Sequence, residues 1–208
     1  MCRPKLIFAI TLILTQVSPM NADDRPAPVR LAPQPYQTGR SVVMAPHGMV
    51  ATSQPLAAQI GLDVLRKGGN AVDAAIAVNA ALGLVEPMSC GIGGDLFAIV
   101  WDAKTKKLHG LNASGRSPYK ATRSFFAQQS IKEIPEYGPY PWSVPGCVSG
   151  WEELHKKFGR QPMADILTPT IEYAEQGFPV SPEIAASWQK SETKLIKIAD
   201  SAKAYLPG

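Results

Sequence analysis

A chain of 208 residues with 45% hydrophobic and 18% charged content has an ordinary globular composition, and it is long enough to bury one sizeable core. Its formal charge of +4 is modest, and acidic residues interrupt the basic ones throughout. No dense basic face results, so nucleic acid is not an expected partner.

The first segment, "MCRPKLIFAITLILTQVSPMNADD", sets Arg3 and Lys5 ahead of about a dozen mostly apolar residues, then small and polar residues near Ala22. Residues 1–22 therefore read as a secretory signal peptide, which predicts export to the periplasm or the extracellular space. The apolar run falls short of the roughly 20 residues a membrane span needs. A retained anchor is the lesser reading, and no stable span is expected. Cys2 leaves with the signal, whereas Cys90 and Cys147 stay in a compartment where disulfides form. Their pairing is left open by the sequence. The available bases are His47, His109 and His155, none at a spacing that makes a cysteine-hydrolase motif, so two structural cysteines are expected.

Residues 23–47 are proline-rich and lack periodicity, which predicts an extended leader draped over a core. Next, Thr52 or Ser53 is placed to cap a helix with Pro55 in its first turn and Ile60, Val64 and Leu65 at helical spacing. Gly68 and Gly69 stop it. Asn70 caps a second helix, in which Asp73 complements the exposed amides and which Pro87 ends. This helix is apolar nearly all round and should be enclosed. "LFAIVWD" and "KLHGLNAS", joined by "AKTKK", read as a hairpin. Leu96 to Val100 is apolar without alternation, which predicts a strand covered on both faces and a sheet between layers. Further helices are expected over "KATRSFFAQQ", near 147–158 and 163–176, where Gly159 and Gly177 are apt stops, and from Ser181 onward.

The glycines of "SCGIGGDLFAIVWD" suggest a phosphate cradle, but their order is wrong for one. A helix precedes them and a strand follows, and no Lys-Ser or Lys-Thr pair closes the motif. Gly91, Gly93 and Gly94 are better read as allowing positive φ or tight backbone approach between helix and strand. Asp63, Asp73, Asp95 and Asp102 lie on separate elements and the histidines are scattered, so no metal or cofactor is expected. No Gly-x-Ser-x-Gly pentapeptide is present to carry a serine hydrolase. Arg116, in "LNASGRSP", ends the second strand beside a glycine. An arginine there is either a bidentate grip for a substrate carboxylate or a surface residue paired with some acid.

The blocks "MVATSQPLAAQIGLDVLRKGGNAVDAAIAVNAALGLVEP", "GIGGDLF", "NASGRSP" and "SVPGCVSGWEELHKKFG" resemble the gamma-glutamyltransferases, also called gamma-glutamyltranspeptidases or glutathione hydrolases, in family order over residues 48–190. The resemblance implies an α+β fold of the N-terminal nucleophile hydrolase kind, an αββα sandwich of which residues 48–208 form the N-terminal portion of the large subunit. It implies a precursor that cuts itself and a partner small subunit from that precursor, whose new terminal threonine attacks the γ-glutamyl amide of glutathione or a related compound.

No threonine in this chain sits in the family's Thr-Thr setting, since Thr168 and Thr170 flank a proline within a helical region. No catalytic residue is therefore expected here, and the chain is expected to be a fragment or a truncated relative without activity of its own. The end at Gly208 favours the fragment. The family's substrate-gripping arginine lies four residues before the strand-ending proline, where this chain has Ser114. Arg116 comes two residues later, and along a strand that shift returns the side chain to the same face, about 6 to 7 Å further on. The resemblance thus leaves γ-glutamyl transfer or glutathione hydrolysis first, and a related amidohydrolase or acylase acting on another carboxylated amide second. Two further departures are Asp95 and Cys90, where the family commonly has glycine and a small residue.

Overall fold

The computed structural model describes residues 42–206, so the expected signal peptide and most of the expected leader lie outside the described residues. Every helix and strand among the described residues falls within the unit Ala45–Gly208.

Two helices open the unit, α1 (Pro55–Arg66) and α2 (Ala71–Val85). The sequence places the α1 cap at Thr52 or Ser53, and the structure corrects this to Gln54, whose side chain accepts from Leu56 N. Tertiary packing is the reason. Ser53 Oγ instead donates to the Glu86 carboxylate at 2.6 Å, joining the start of α1 to the end of α2. The α2 cap is as expected. Asn70 accepts from Val72 N and Asp73 N, and Asp73 reaches back to Asn70 N in a reciprocal capping box.

Asp73 does more than cap, because it is fully buried and also accepts from the backbone N–H groups of Arg160 and Gln161. The start of α2 is thereby sewn to the segment after α4 (Cys147–Phe158). Replacing Asp73 with Ala leaves those N–H groups without a partner, each worth about 1–3 kcal/mol when buried. A loss of about 3–5 kcal/mol in unfolding free energy is expected, read from the urea midpoint, with Asp73→Asn milder because one oxygen still accepts. An unchanged midpoint in Asp73→Ala would refute this.

The core is helical. Ala57, Ile60 and Val64 of α1 meet Ile76, Ala77 and Ala81 of α2, and Trp151 and Leu154 of α4 close the cluster with Ile166 of α5 (Met163–Gln176). Enclosure of α2 follows from its alanines, which let neighbours approach on most sides. One polar group sits in this packing with its needs met: Asn79 Oδ1 accepts from Trp151 Nε1 at 2.8 Å and from Cys147 Sγ at 3.4 Å.

The hairpin forms as expected. β1 (Leu96–Asp102) pairs antiparallel with β2 (Lys107–Ala113), from Leu96 opposite Ala113 to Asp102 opposite Lys107. Asp102 organises the turn by accepting from Lys104 N and Thr105 Oγ1. Among the described residues β1 is covered on one face, where the sequence predicts cover on both. Leu96, Ala98 and Val100 pack on the helical core, whereas Phe97, Ile99 and Trp101 are 65%, 78% and 60% exposed. Among the described residues the sheet has two strands, and helices lie against one side of it.

The remaining helices are α3 (Arg123–Gln128), capped by Thr122, α6 (Pro182–Leu195), capped by Ser181, and α7 (Ala199–Tyr205). Trp188 Nε1 donates to Tyr205 O and ties α7 to α6. Gly159 and Gly177 terminate α4 and α5, the latter at φ 85°, a left-handed value that favours glycine.

Candidate substrate-binding site

The start of β1, the segment after β2 and the loop 143–146 before α4 converge on one place. Gly94 O accepts from Gly146 N at 3.1 Å and from Cys147 N at 3.0 Å, which satisfies two of the orphan donors that open α4. Next to it, Asp95 Oδ1 accepts from Gly115 N at 3.0 Å and from Ser143 Oγ at 2.9 Å. Arg116 O in turn accepts from Val144 N at 2.9 Å. These bonds hold the Asp95 carboxyl below the usual carboxylate range, the Gly115 N–H first and the Ser143 hydroxyl second, so it is ionised at neutral pH.

The crossing is tight at two glycines. A Cβ on Gly115 would lie 1.6 Å from Val144 O, and one on Gly146 would lie 2.1 Å from Ala113 O. The close approach read into the earlier glycine cluster is therefore found elsewhere. Gly91 and Gly93 have no positive φ, and a Cβ on either would meet nothing within 4 Å, so that reading is corrected for both. The cluster instead makes a turn, with Gly94 N donating to Gly91 O, and presents the Gly94 carbonyl and the Asp95 carboxylate to the segments crossing it.

Arg116 borders a cavity of about 350 Å³ with Ser114, Tyr119, Val144 and Ser149. Its placement at the end of a strand is corrected, because β2 stops at Ala113. Beyond that point Gly115 N turns to Asp95 and Arg116 O to Val144, away from the ladder, so strand alternation does not govern where the arginine faces. Arg116 is exposed, and its guanidinium makes no ion pair or hydrogen bond with another described residue. Ser114 N is held separately by Asn112 Oδ1.

The cysteines and threonines that the sequence did not expect to be catalytic do not line this cavity. Cys90 and Cys147 are free thiols, and burial pushes both above the ordinary thiol range, which makes neither a ready nucleophile. Thr168 and Thr170 lie inside α5, where Thr168 Oγ1 donates back to Ala164 O. Among the described residues no cluster of His, Cys, Asp and Glu is arranged to hold a metal, and no helix is long and apolar enough to cross a membrane. Ser143 is the site residue that sequence reasoning passed over, and Asp95 stood out only as a departure from the family's glycine, without its partners Gly115 and Ser143. The available signal was an acidic residue directly after Gly93-Gly94 and before an apolar strand.

Residues 57–208 match the family profile described as gamma-glutamyltranspeptidase. The chain belongs to the gamma-glutamyltranspeptidase family. It is 39% identical over 185 residues to the glutathione hydrolase proenzyme of Bacillus subtilis, covering 87% of this chain and 31% of that relative. It therefore spans about a third of that relative's length. Among solved structures it resembles the gamma-glutamyltranspeptidase of Helicobacter pylori with a TM-score of 0.73 and 33% identity, over 78% of this chain and 47% of that one. It also resembles the cephalosporin acylase of Bacillus halodurans with a TM-score of 0.70 and 49% identity, over 79% and 30% of the two chains. These neighbours carry the N-terminal nucleophile hydrolase fold, which the mixed helices and hairpin of this gamma-glutamyltranspeptidase chain share in part.

Proposed function

We propose that this chain is the first part of the large subunit of an exported glutathione hydrolase, which hydrolyses or transfers the γ-glutamyl group of glutathione and related amides. Its catalytic threonine lies outside this chain, on the small subunit cut from the same precursor. The threonine hydroxyl attacks the amide carbonyl carbon and gives its proton to the threonine's own α-amine. The C–N bond breaks, the departing amine takes that proton, and the ester left on the threonine passes to water or to an acceptor amine. Backbone N–H groups near the threonine hold the oxyanion. The contribution of this chain is to bind. Arg116 takes the donor carboxylate with its planar guanidinium, which sets the scissile bond against the nucleophile.

One observation carries this reading: an exposed guanidinium, paired with no acid among the described residues, beside a cavity whose backbone is pinned on both sides of the arginine. A second reading, an acylase for another carboxylated amide, is favoured by Ser114 at the position where the family has its arginine and by the 49% identity to a cephalosporin acylase.

Two anilides separate the readings. The γ-glutamyl p-nitroanilide carries both an α-carboxylate and an α-amine, and the glutaryl p-nitroanilide keeps the carboxylate alone. With protein made from the complete coding sequence, release of p-nitroaniline from the first in preference to the second is expected. Preference for the glutaryl compound establishes the acylase reading, and cleavage of neither rules out both.

A further inference from the structure

We propose that Asp95 is a positioning residue for Arg116, and through it for the donor carboxylate; the inference rests on the reading of Arg116 given above. A closed ring of bonds supports it. Asp95 Oδ1 accepts from Gly115 N at 3.0 Å and from Ser143 Oγ at 2.9 Å. Gly115 is joined covalently to Arg116, whose carbonyl accepts from Val144 N at 2.9 Å, and Val144 is joined covalently to Ser143. The arginine backbone is thus held on both sides, before it by the Asp95 carboxylate and after it by its own carbonyl. Only the side chain is left free to meet a ligand.

The anchor end of this ring is itself fixed. The carbonyl of Gly94, next to Asp95, takes the Gly146 and Cys147 N–H groups, so the residue pair 94–95 joins the start of β1 to both crossing segments. Asp95 is exposed, and its carboxylate is engaged by loop groups, the Gly115 N–H and the Ser143 hydroxyl first and the Ser114 side chain after them. Its function in the described residues is local: without it, the turn that carries Arg116 keeps one tether out of two. A bidentate grip on a carboxylate is sensitive to such loosening, because both N–H···O bonds need the guanidinium plane set in advance.

Both bonds converge on a single oxygen, and this makes the test specific. Asp95→Asn retains an acceptor oxygen and should keep the ring, whereas Asp95→Ala removes it. With protein from the complete coding sequence, and whichever of the two anilides is cleaved, Asp95→Ala is expected to raise KM about tenfold, the loss of a charge-assisted hydrogen bond. Its kcat should change by less than about threefold, and Asp95→Asn should stay within about threefold of the parent KM. On an Arg116→Ala background, Asp95→Ala should add nothing further to KM, because the two act as one unit.

A KM unchanged in Asp95→Ala while Arg116→Ala raises it, or independent effects that multiply in the double variant, overturns the proposal and leaves the Arg116 reading standing. An unchanged KM in Arg116→Ala removes that reading and this inference with it. If Asp95→Ala does not accumulate as folded protein, Ser143→Ala takes its place. It removes one bond of the ring, and a KM raised about threefold is expected, again absent on the Arg116→Ala background. An unchanged KM in Ser143→Ala overturns the proposal.

Discussion

Arg116→Ala is expected to raise the KM for the cleaved anilide about a hundredfold, equivalent to about 3 kcal/mol of lost carboxylate binding. The size of the effect follows from what the arginine is not doing. It pairs with no described acid and is exposed, so its removal leaves no internal charge unpaired and should not shift the thermal midpoint. The whole cost then appears in binding. Arg116→Lys should recover part of the loss, since an ammonium restores the charge without the planar fork. Equal KM values for Arg116→Ala and the parent would show that the carboxylate is held elsewhere.

Gly115→Ala is expected to destabilise the protein by more than about 4 kcal/mol, at the severe end of single substitutions. A Cβ there would lie 1.6 Å from Val144 O and 2.7 Å from Val144 C. Both are backbone atoms, so no rotamer change relieves the clash. Accommodation would have to break the Val144 N to Arg116 O bond and pull the loop off the turn. Gly146→Ala should behave alike, with its added carbon 2.1 Å from Ala113 O. Gly93→Ala is the control, because its φ is not positive and the space is open, and a change within about 1 kcal/mol is expected there. Soluble yield and urea midpoints measure all of these; a Gly115→Ala midpoint equal to the control's would refute the close crossing.

Much of the helical order was legible because its signals are local. The Asn70 cap with Asp73 three residues on, Ser181 before Pro182, and the glycines after Phe158 and Gln176 each act through backbone groups within a turn of themselves. The hairpin was legible for the same reason, since a short polar turn joins two apolar runs. Gln54 was passed over because Ser53, the better capping residue in isolation, is drawn to Glu86 on the next helix. The exposure of Phe97, Ile99 and Trp101 was hidden by an apolar run that looks the same whether one face or both are covered within the chain.

The site divides along the same line. Residue types and order along the chain were enough to indicate the family and to single out Arg116 as a residue of interest, since a motif is a property of neighbours in sequence. Where that arginine sits depends on contacts between residues distant in the chain, such as Ser143 with Asp95, 48 positions apart. Alternation along β2 placed Arg116 on a strand, and the carboxylate of Asp95, just ahead of β1, took its neighbour's N–H off the ladder. Short-range capping and turn chemistry set the elements of this chain. The meeting of the Gly94–Asp95 junction, the turn at Gly115 and the loop at Gly146 was decided only in three dimensions, because each supplies the hydrogen-bond partner that the others lack.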